Sequence, residues 1–183
     1  VPDPGHDTAY QSEAALEREL IALLKAQAYE YLPITSEAQL VANLRAQLET
    51  LNGITFTDGE WGTFFTERIA GANDTIVEKS VRIQEDRVAN PGETKKKKRD
   101  DGTVKNVALI DKKNIHNNRL QVINQYAVGD GEGGATHANR YDVTVLVNGI
   151  PMVHIELKRR GVDLREAFNQ INRYQRHSFW AGS

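Results

Sequence analysis

Cysteine is absent from the 183 residues, which excludes disulfide staples, thiolate zinc sites and a cysteine nucleophile. Any catalysis must therefore use carboxylates, amines, histidines, hydroxyls or a metal held by oxygen. No apolar run approaches the roughly 18 residues that a spanning helix requires, and the N-terminus lacks the basic-then-apolar order of a signal peptide. A cytoplasmic chain with no membrane partner is expected. There is no initiator methionine at Val1, so the chain is expected to be a piece of something longer. What is present is ordinary for a globular protein: 39% hydrophobic and 26% charged residues, enough chain for one domain with a substantial core.

The net charge of −2 hides a division. Residues 1–90 carry −8 and residues 91–183 carry +6, so a polyanion would bind the second half. Much of that excess is one run, Lys95 to Arg99, set in NPGETKKKKRDDG. This reads as an exposed, solvated loop. Without it the second half keeps only +1.

Residues 1–11 are a polar lead-in, and 12–183 read as a single domain, mainly helical over 12–80 and mainly sheet with one helix over 81–183. Ser12 is placed to cap a helix running to about Ala28 on the stripe Leu16, Leu20 and Leu23. Glu13 and Glu17 lie one turn apart on the margin of that stripe, where helix acids usually face solvent. Further helices are expected over Glu37–Leu51, closed by Asn52-Gly53, and over Asp58–Ala70. The periodicity then changes. Val81–Val88, Val104–Ile110 and Leu120–Val128 read as strands.

The most informative stretch is YDVTVLVNGIPMVHIELKRR, two β-branched runs around Asn148-Gly149, a strong hairpin signal. Asp163 can cap a helix after it, with Leu164, Phe168 and Ile171 as its apolar stripe and Gln170 and Tyr174 on the flank. Alternation along the second strand puts Val153, Ile155 and Leu157 on one face and His154, Glu156 and Lys158 on the other. Asp142, near the start of the preceding strand, can join Glu156. Two converging carboxylates repel unless something positive lies between them, and hard oxygens suit Mg²⁺, with Mn²⁺ as a substitute. A lysine beside such a site suits phosphodiester hydrolysis, because it offsets charge developing on the phosphate. A bare E-x-K is usually a surface ion pair; the added aspartate and the basic helix tip the balance. His154 reads as a hydrogen-bonding strand residue sooner than a metal ligand. Arg159, Arg160, Arg165, Arg173 and Arg176 are the cations available to phosphates.

Parity restricts the hairpin. Asp142 and Glu156 share a face only if paired residue numbers sum to an even value. A regular two-residue Asn148-Gly149 loop pairs Val147 with Ile150, an odd sum. Either a three-residue loop pairing Val147 with Pro151 or a β-bulge is therefore expected.

Asp142, Glu156-Leu157-Lys158 and Gln170-Ile171-Asn172-Arg173-Tyr174 together resemble the PD-(D/E)xK nuclease core with the Q-x-x-x-Y addition of RecB-like nucleases. More widely, SEAALEREL, IDKKN, HANRYDVTVLVNGIPMVHIELKRRG and REAFNQINRYQRHSFW look like the N-terminal nuclease region of the restriction (R) subunit of type I restriction-modification enzymes. The resemblance covers nearly the whole chain except the Lys95 to Asp101 loop. It implies an α/β fold of the restriction-endonuclease-like kind, a mixed central sheet flanked by helices, with the last core strand missing from this piece.

It also implies roles: Asp142 and Glu156 as metal-binding acids, Lys158 as catalytic lysine, Gln170 and Tyr174 as residues that orient the site and contact DNA, and Glu13 or Glu17 as a further metal ligand. The function implied is a Mg²⁺-dependent endodeoxyribonuclease that cuts duplex DNA without sequence specificity of its own. Its partners would be methylation and specificity subunits and the rest of its own chain, an ATP-driven translocase. ATP would act only there, since no G-x-x-x-x-G-K-[ST] loop occurs here. Tyr141 replaces the family's proline, which supplies no ligand. The alternatives are a catalytically silent DNA-binding or assembly module of the same fold, and a nuclease acting on RNA.

Overall fold

The structure, a computed structural model, describes residues 12–71, 75–85, 97–98, 104–105, 107–128, 139–159, 165 and 168–169. Helix α1 spans Glu13–Ala26, with the Ser12 hydroxyl accepting from the Ala15 amide. Strand β1, Glu30–Tyr31, follows; α2 covers Glu37–Asn52 and α3 Asp58–Phe64, continued by a π-helical turn over Phe65–Ile69. Helix α4 is Ile76–Glu85. Short strands β2, Lys97–Lys98, and β3, Val104–Lys105, form their own ladder. The main strands are β4, Leu120–Val128, β5, Asn139–Val147, and β6, Ile150–Ile155.

The four-stranded sheet runs β1-β4-β5-β6, with β1 parallel to β4 and the other pairs antiparallel. It is therefore mixed, and helices flank it, as expected. Leu40, Leu44 and Leu48, spaced four apart on α2, are fully buried because that spacing keeps one stripe against a neighbour. Leu40 packs with Ile34, Ile123, Tyr126, Tyr141 and Leu146, and Leu44 and Leu48 pack with Phe56, Trp61, Phe64, Ile69, Leu109 and Ile150. Helices α2 and α3 each start on a reciprocal cap, Ser36 with Gln39 and Thr57 with Glu60, which satisfies otherwise orphaned amides.

Three expectations need correction. Of the expected strand Val81–Val88, the described part, 81–85, is not strand: residues 76–85 are helical, because Thr75 and Glu78 form a third reciprocal cap, with Thr75 N donating to Glu78 at 2.7 Å and Glu78 N to Thr75 Oγ1 at 3.3 Å. The T-x-x-E signal outweighs local β-branching. Val104–Ile110 is a strand only at Val104–Lys105. Beyond it, the Asn52 side chain stands in for a neighbouring strand, donating to Ala108 O at 3.0 Å and accepting from Ala108 N at 2.7 Å. Within the basic run, Lys97 and Lys98 pair with Lys105 and Val104 and are strand, not loop. The first half also contributes β1, which the sequence did not signal.

The hairpin turn carries Asn148 at φ 51 and Gly149 at φ 80, the left-handed pair that a two-residue turn of matching twist demands. Asn148 is buried, and its side chain bonds Arg119 N, Leu109 O and Asn118 Oδ1 at 2.8–3.0 Å. A Cβ on Gly149 would stand 2.6 Å from Leu44 Cα, whereas one on Gly53, at φ 58, would meet nothing within 4 Å. Gly149→Ala is expected to cost about 2–4 kcal/mol, since overpacking adds to backbone strain. Gly53→Ala should cost about 1 kcal/mol. Urea unfolding of the two variants checks this; equal losses would show that the turn does not bear on α2.

Candidate functional site

The site forms where β5 begins and β6 ends. The turn pairs Val147 with Ile150 and Leu146 with Pro151, odd sums, but the next pairs are Val145 with Val153, Thr144 with His154 and Val143 with Ile155, even sums. Met152 has no opposite number. It is the extra residue of a β-bulge, and of the two solutions that parity permits, the chain uses this one with a two-residue turn. Carrying the register one step past Val143–Ile155 sets Asp142 opposite Glu156.

Strand β6 stops at Ile155, and Glu156 to Arg159 follow it as non-strand chain. Simple alternation therefore does not extend to Lys158. Asp142, half-buried, accepts from Leu157 N at 2.8 Å through Oδ2, which ties the segment after β6 to the start of β5. Lys158 Nζ donates to Glu156 Oε1 at 2.6 Å, with the Glu156 side chain only 7% exposed and that of Lys158 20%. Burial works against the charge on Lys158, but the hydrogen bond to Glu156 and the charges of Glu156, Glu13 and Asp142 outweigh it, so its pKa stands above that of an ordinary lysine. Three carboxylates thus act on one ammonium.

Helix α1 brings the third. Glu13, exposed at its first turn, accepts from Arg159 N in a long contact of 3.4 Å. Glu17, one turn on, holds the sheet: its two carboxylate oxygens accept from the side-chain amides of Asn124 and Gln125. These two β4 residues were not signalled by the sequence. Nothing in a strand pattern marks a glutamine for φ 53.

His154, paired with Thr144 in the ladder, makes its own contacts. Its ring stacks on Tyr141 with centroids 4.2 Å apart, and its Nδ1 lies 3.0 Å from Thr144 Oγ1. Arg159 and Arg165 are exposed. Gln170, Tyr174, Arg160, Arg173 and Arg176 lie outside the described residues, as does the Asp163 cap.

Among the described residues no three acids or histidines gather closely enough to enclose a metal ion. A closed cage is not what Mg²⁺ requires, because it keeps several waters and takes one or two protein carboxylates together with substrate phosphates. Asp142 and Glu156, hard oxygen donors in opposed positions, fit that donor set in kind.

A mixed sheet flanked by helices, with an acid on one hairpin strand opposite an E-x-K on the next, is consistent with a restriction-endonuclease-like core. Residues 10–182 match the family described as the type I restriction enzyme R protein N terminus, and the chain belongs to that family. It is 48% identical over 179 residues to the type I restriction enzyme EcoprrI endonuclease subunit of Escherichia coli, covering 97% of this chain and 54% of that protein. Against the SsaAORF53P endonuclease subunit of Staphylococcus saprophyticus it is 39% identical over 175 residues, covering 93% of this chain and 17% of that protein. The SauMSSORF170P endonuclease subunit of Staphylococcus aureus is 38% identical over 176 residues, with the same coverage. The chain thus spans about half the length of one relative and a much smaller share of the others. No helix among the described residues is long and apolar enough to cross a membrane.

Loss of solvent around the His154 ring pushes its pKa down to about 4, although part of the residue reaches solvent. A folded-state value below the unfolded one of about 6.5 means that the unfolded chain takes up the proton first as pH falls. The stability tied to the neutral ring is complete above that unfolded value and is lost toward pH 4. Melting temperatures from pH 7.5 down to 4 should fall less steeply for His154→Gln than for the parent. Parallel curves would show that the ring is not desolvated.

Proposed function

We propose that this chain is the DNA-cleaving part of a type I restriction enzyme R subunit, a Mg²⁺-dependent endodeoxyribonuclease in which Mn²⁺ can substitute. It would hydrolyse phosphodiester bonds of duplex DNA without sequence specificity of its own. Recognition would belong to specificity and methylation subunits, and the trigger to an ATP-driven translocase elsewhere in the same subunit. The observation that carries this reading is that Asp142, bonded to Leu157 N, meets the segment in which Lys158 is bonded to Glu156, in a chain whose relatives are named endonuclease subunits.

Asp142 and Glu156 would hold the divalent cation, which supplies a polarised phosphate and a bound water of lowered pKa. Lys158 is kept charged by its acidic neighbours, so at neutral pH it carries a full positive charge at the site. There it can orient a phosphate oxygen and offset the negative charge that grows as water adds to phosphorus and the bond to the leaving oxygen breaks. Glu13 approaches the same point from α1. Gln170 and Tyr174 would orient the site and meet DNA, and Arg159, Arg160, Arg165, Arg173 and Arg176 would contact phosphates, which gives affinity without sequence reading. Intact acids and a charged lysine favour this over a silent docking module.

In the complete enzyme, Asp142→Ala, Glu156→Ala and Lys158→Ala should each abolish DNA cleavage while ATP hydrolysis stays near the parental rate. Cleavage retained by Glu156→Ala would sink the assignment. Inserting one alanine between Val153 and His154 supplies an independent check, because it moves Glu156 one position along the ladder and sets Ile155 opposite Asp142. Cleavage should fall about 100-fold or more, with the far-ultraviolet circular dichroism unchanged; undiminished cutting would mean that strand parity does not set the site.

A further inference from the structure

Glutamine 125 lies in the middle of β4 at φ 53, a left-handed conformation that residues with a Cβ seldom adopt. The ladder to β5 runs without a shift from Asn124–Val143 to Tyr126–Tyr141, so the residue opposite Gln125 is Asp142. Strained backbone thus stands beside a proposed metal-binding acid. In an extended strand consecutive side chains go to opposite faces, yet Asn124 and Gln125 both reach the carboxylate of Glu17. The left-handed residue makes that possible. It also explains why Ile123 and Tyr126, which strict alternation would separate, lie in one core cluster with Tyr141 and Leu146. The Tyr31 hydroxyl donates to Asn124 Oδ1 at 2.9 Å, which turns the amide nitrogen of Asn124 toward Glu17.

Helix α1 needs such an anchor because it has no buried residue of its own. Glu13 sits one turn before Glu17 on the same side of the helix, within reach of Arg159 N and of the field at Lys158. Both oxygens of Glu17 are engaged by amides, which suits an anchor better than the ligand role the family resemblance offered it. We propose that Gln125, with Asn124, is a positioning residue that grips Glu17 and so holds α1 with Glu13 at the edge of the Asp142, Glu156 and Lys158 cluster, where the Glu13 carboxylate adds to the negative field that draws a divalent cation to Asp142 and Glu156. This rests on the nuclease reading above.

The test uses the full-length R subunit without ATP, titrated with Mn²⁺ and followed by electron paramagnetic resonance, alongside thermal melting. Gln125→Gly keeps the left-handed backbone without strain and removes the amide. Mn²⁺ affinity should drop about tenfold or more, with the melting temperature unchanged or raised. A merely structural glutamine would instead lower the melting temperature and leave Mn²⁺ binding alone, and that result overturns the proposal. Glu17→Gln alone sets amide against amide and should weaken Mn²⁺ binding. Combining it with Gln125→Glu restores a donor–acceptor pair and should recover the affinity; failure to recover also overturns the proposal. In a Glu13→Gln background, Gln125→Gly should have no further effect. Asp142→Ala is the reference: if it leaves Mn²⁺ binding and cleavage intact, the nuclease reading falls and takes this proposal with it. Normal binding in Gln125→Gly beside lost binding in Asp142→Ala sinks the proposal alone.

Discussion

The single unpaired residue Met152 decides where the chemistry can be. A two-residue turn between β5 and β6 forces odd pairing sums, and with odd sums Asp142 and Glu156 would project from opposite faces of the sheet. One extra residue in β6 changes every later pairing to an even sum at the cost of a local kink. The tight turn itself is not negotiable, because Gly149 lies against the backbone of α2 with no room for a Cβ. The bulge therefore lets a turn chosen for packing coexist with a strand end that carries the proposed site residues.

A second interruption of alternation lies on the other neighbour of β5, opposite Asp142. At Gln125 the β4 backbone turns left-handed, and the side chains on either side of it resume their burial one position out of step. The two irregularities bracket Asp142, one on each neighbouring strand. Regular ladders would have buried the sheet as well or better; irregular ones place an acid at its end and leave α1 gripped through polar bonds. Local departures of this kind concentrate where geometry serves something other than stability.

Electrostatics at the site follow from these placements. Lys158 would lose part of its charge preference to burial were it alone, but Glu156 at hydrogen-bond distance and the fields of Glu13 and Asp142 keep it protonated. His154, only two residues before Glu156, goes the other way because it stacks on Tyr141 and is deprived of solvent. Neighbours in sequence thus have opposite charge behaviour, set by the partners each one meets.

The sequence by itself determined much. Ser12 as a cap, the helix from Glu37 closed at Asn52-Gly53, the Asn148-Gly149 turn and the requirement for even parity were all legible, because each depends on residues close together in the chain. The family likeness carried Asp142, Glu156 and Lys158 as a set. Where local signals competed, the reading failed: the β-branched run from Val81 lost to the Thr75 to Glu78 cap, and the backbone of Ala108 is held by Asn52 of α2. Tertiary structure alone decided that the parity is restored by a bulge at Met152, that His154 stacks on Tyr141, and that Glu17 serves Asn124 and Gln125. The polar contacts among these join residues from 10 to more than 100 positions apart, and no pattern within one segment can specify which distant partner will satisfy a polar group once both are taken from water.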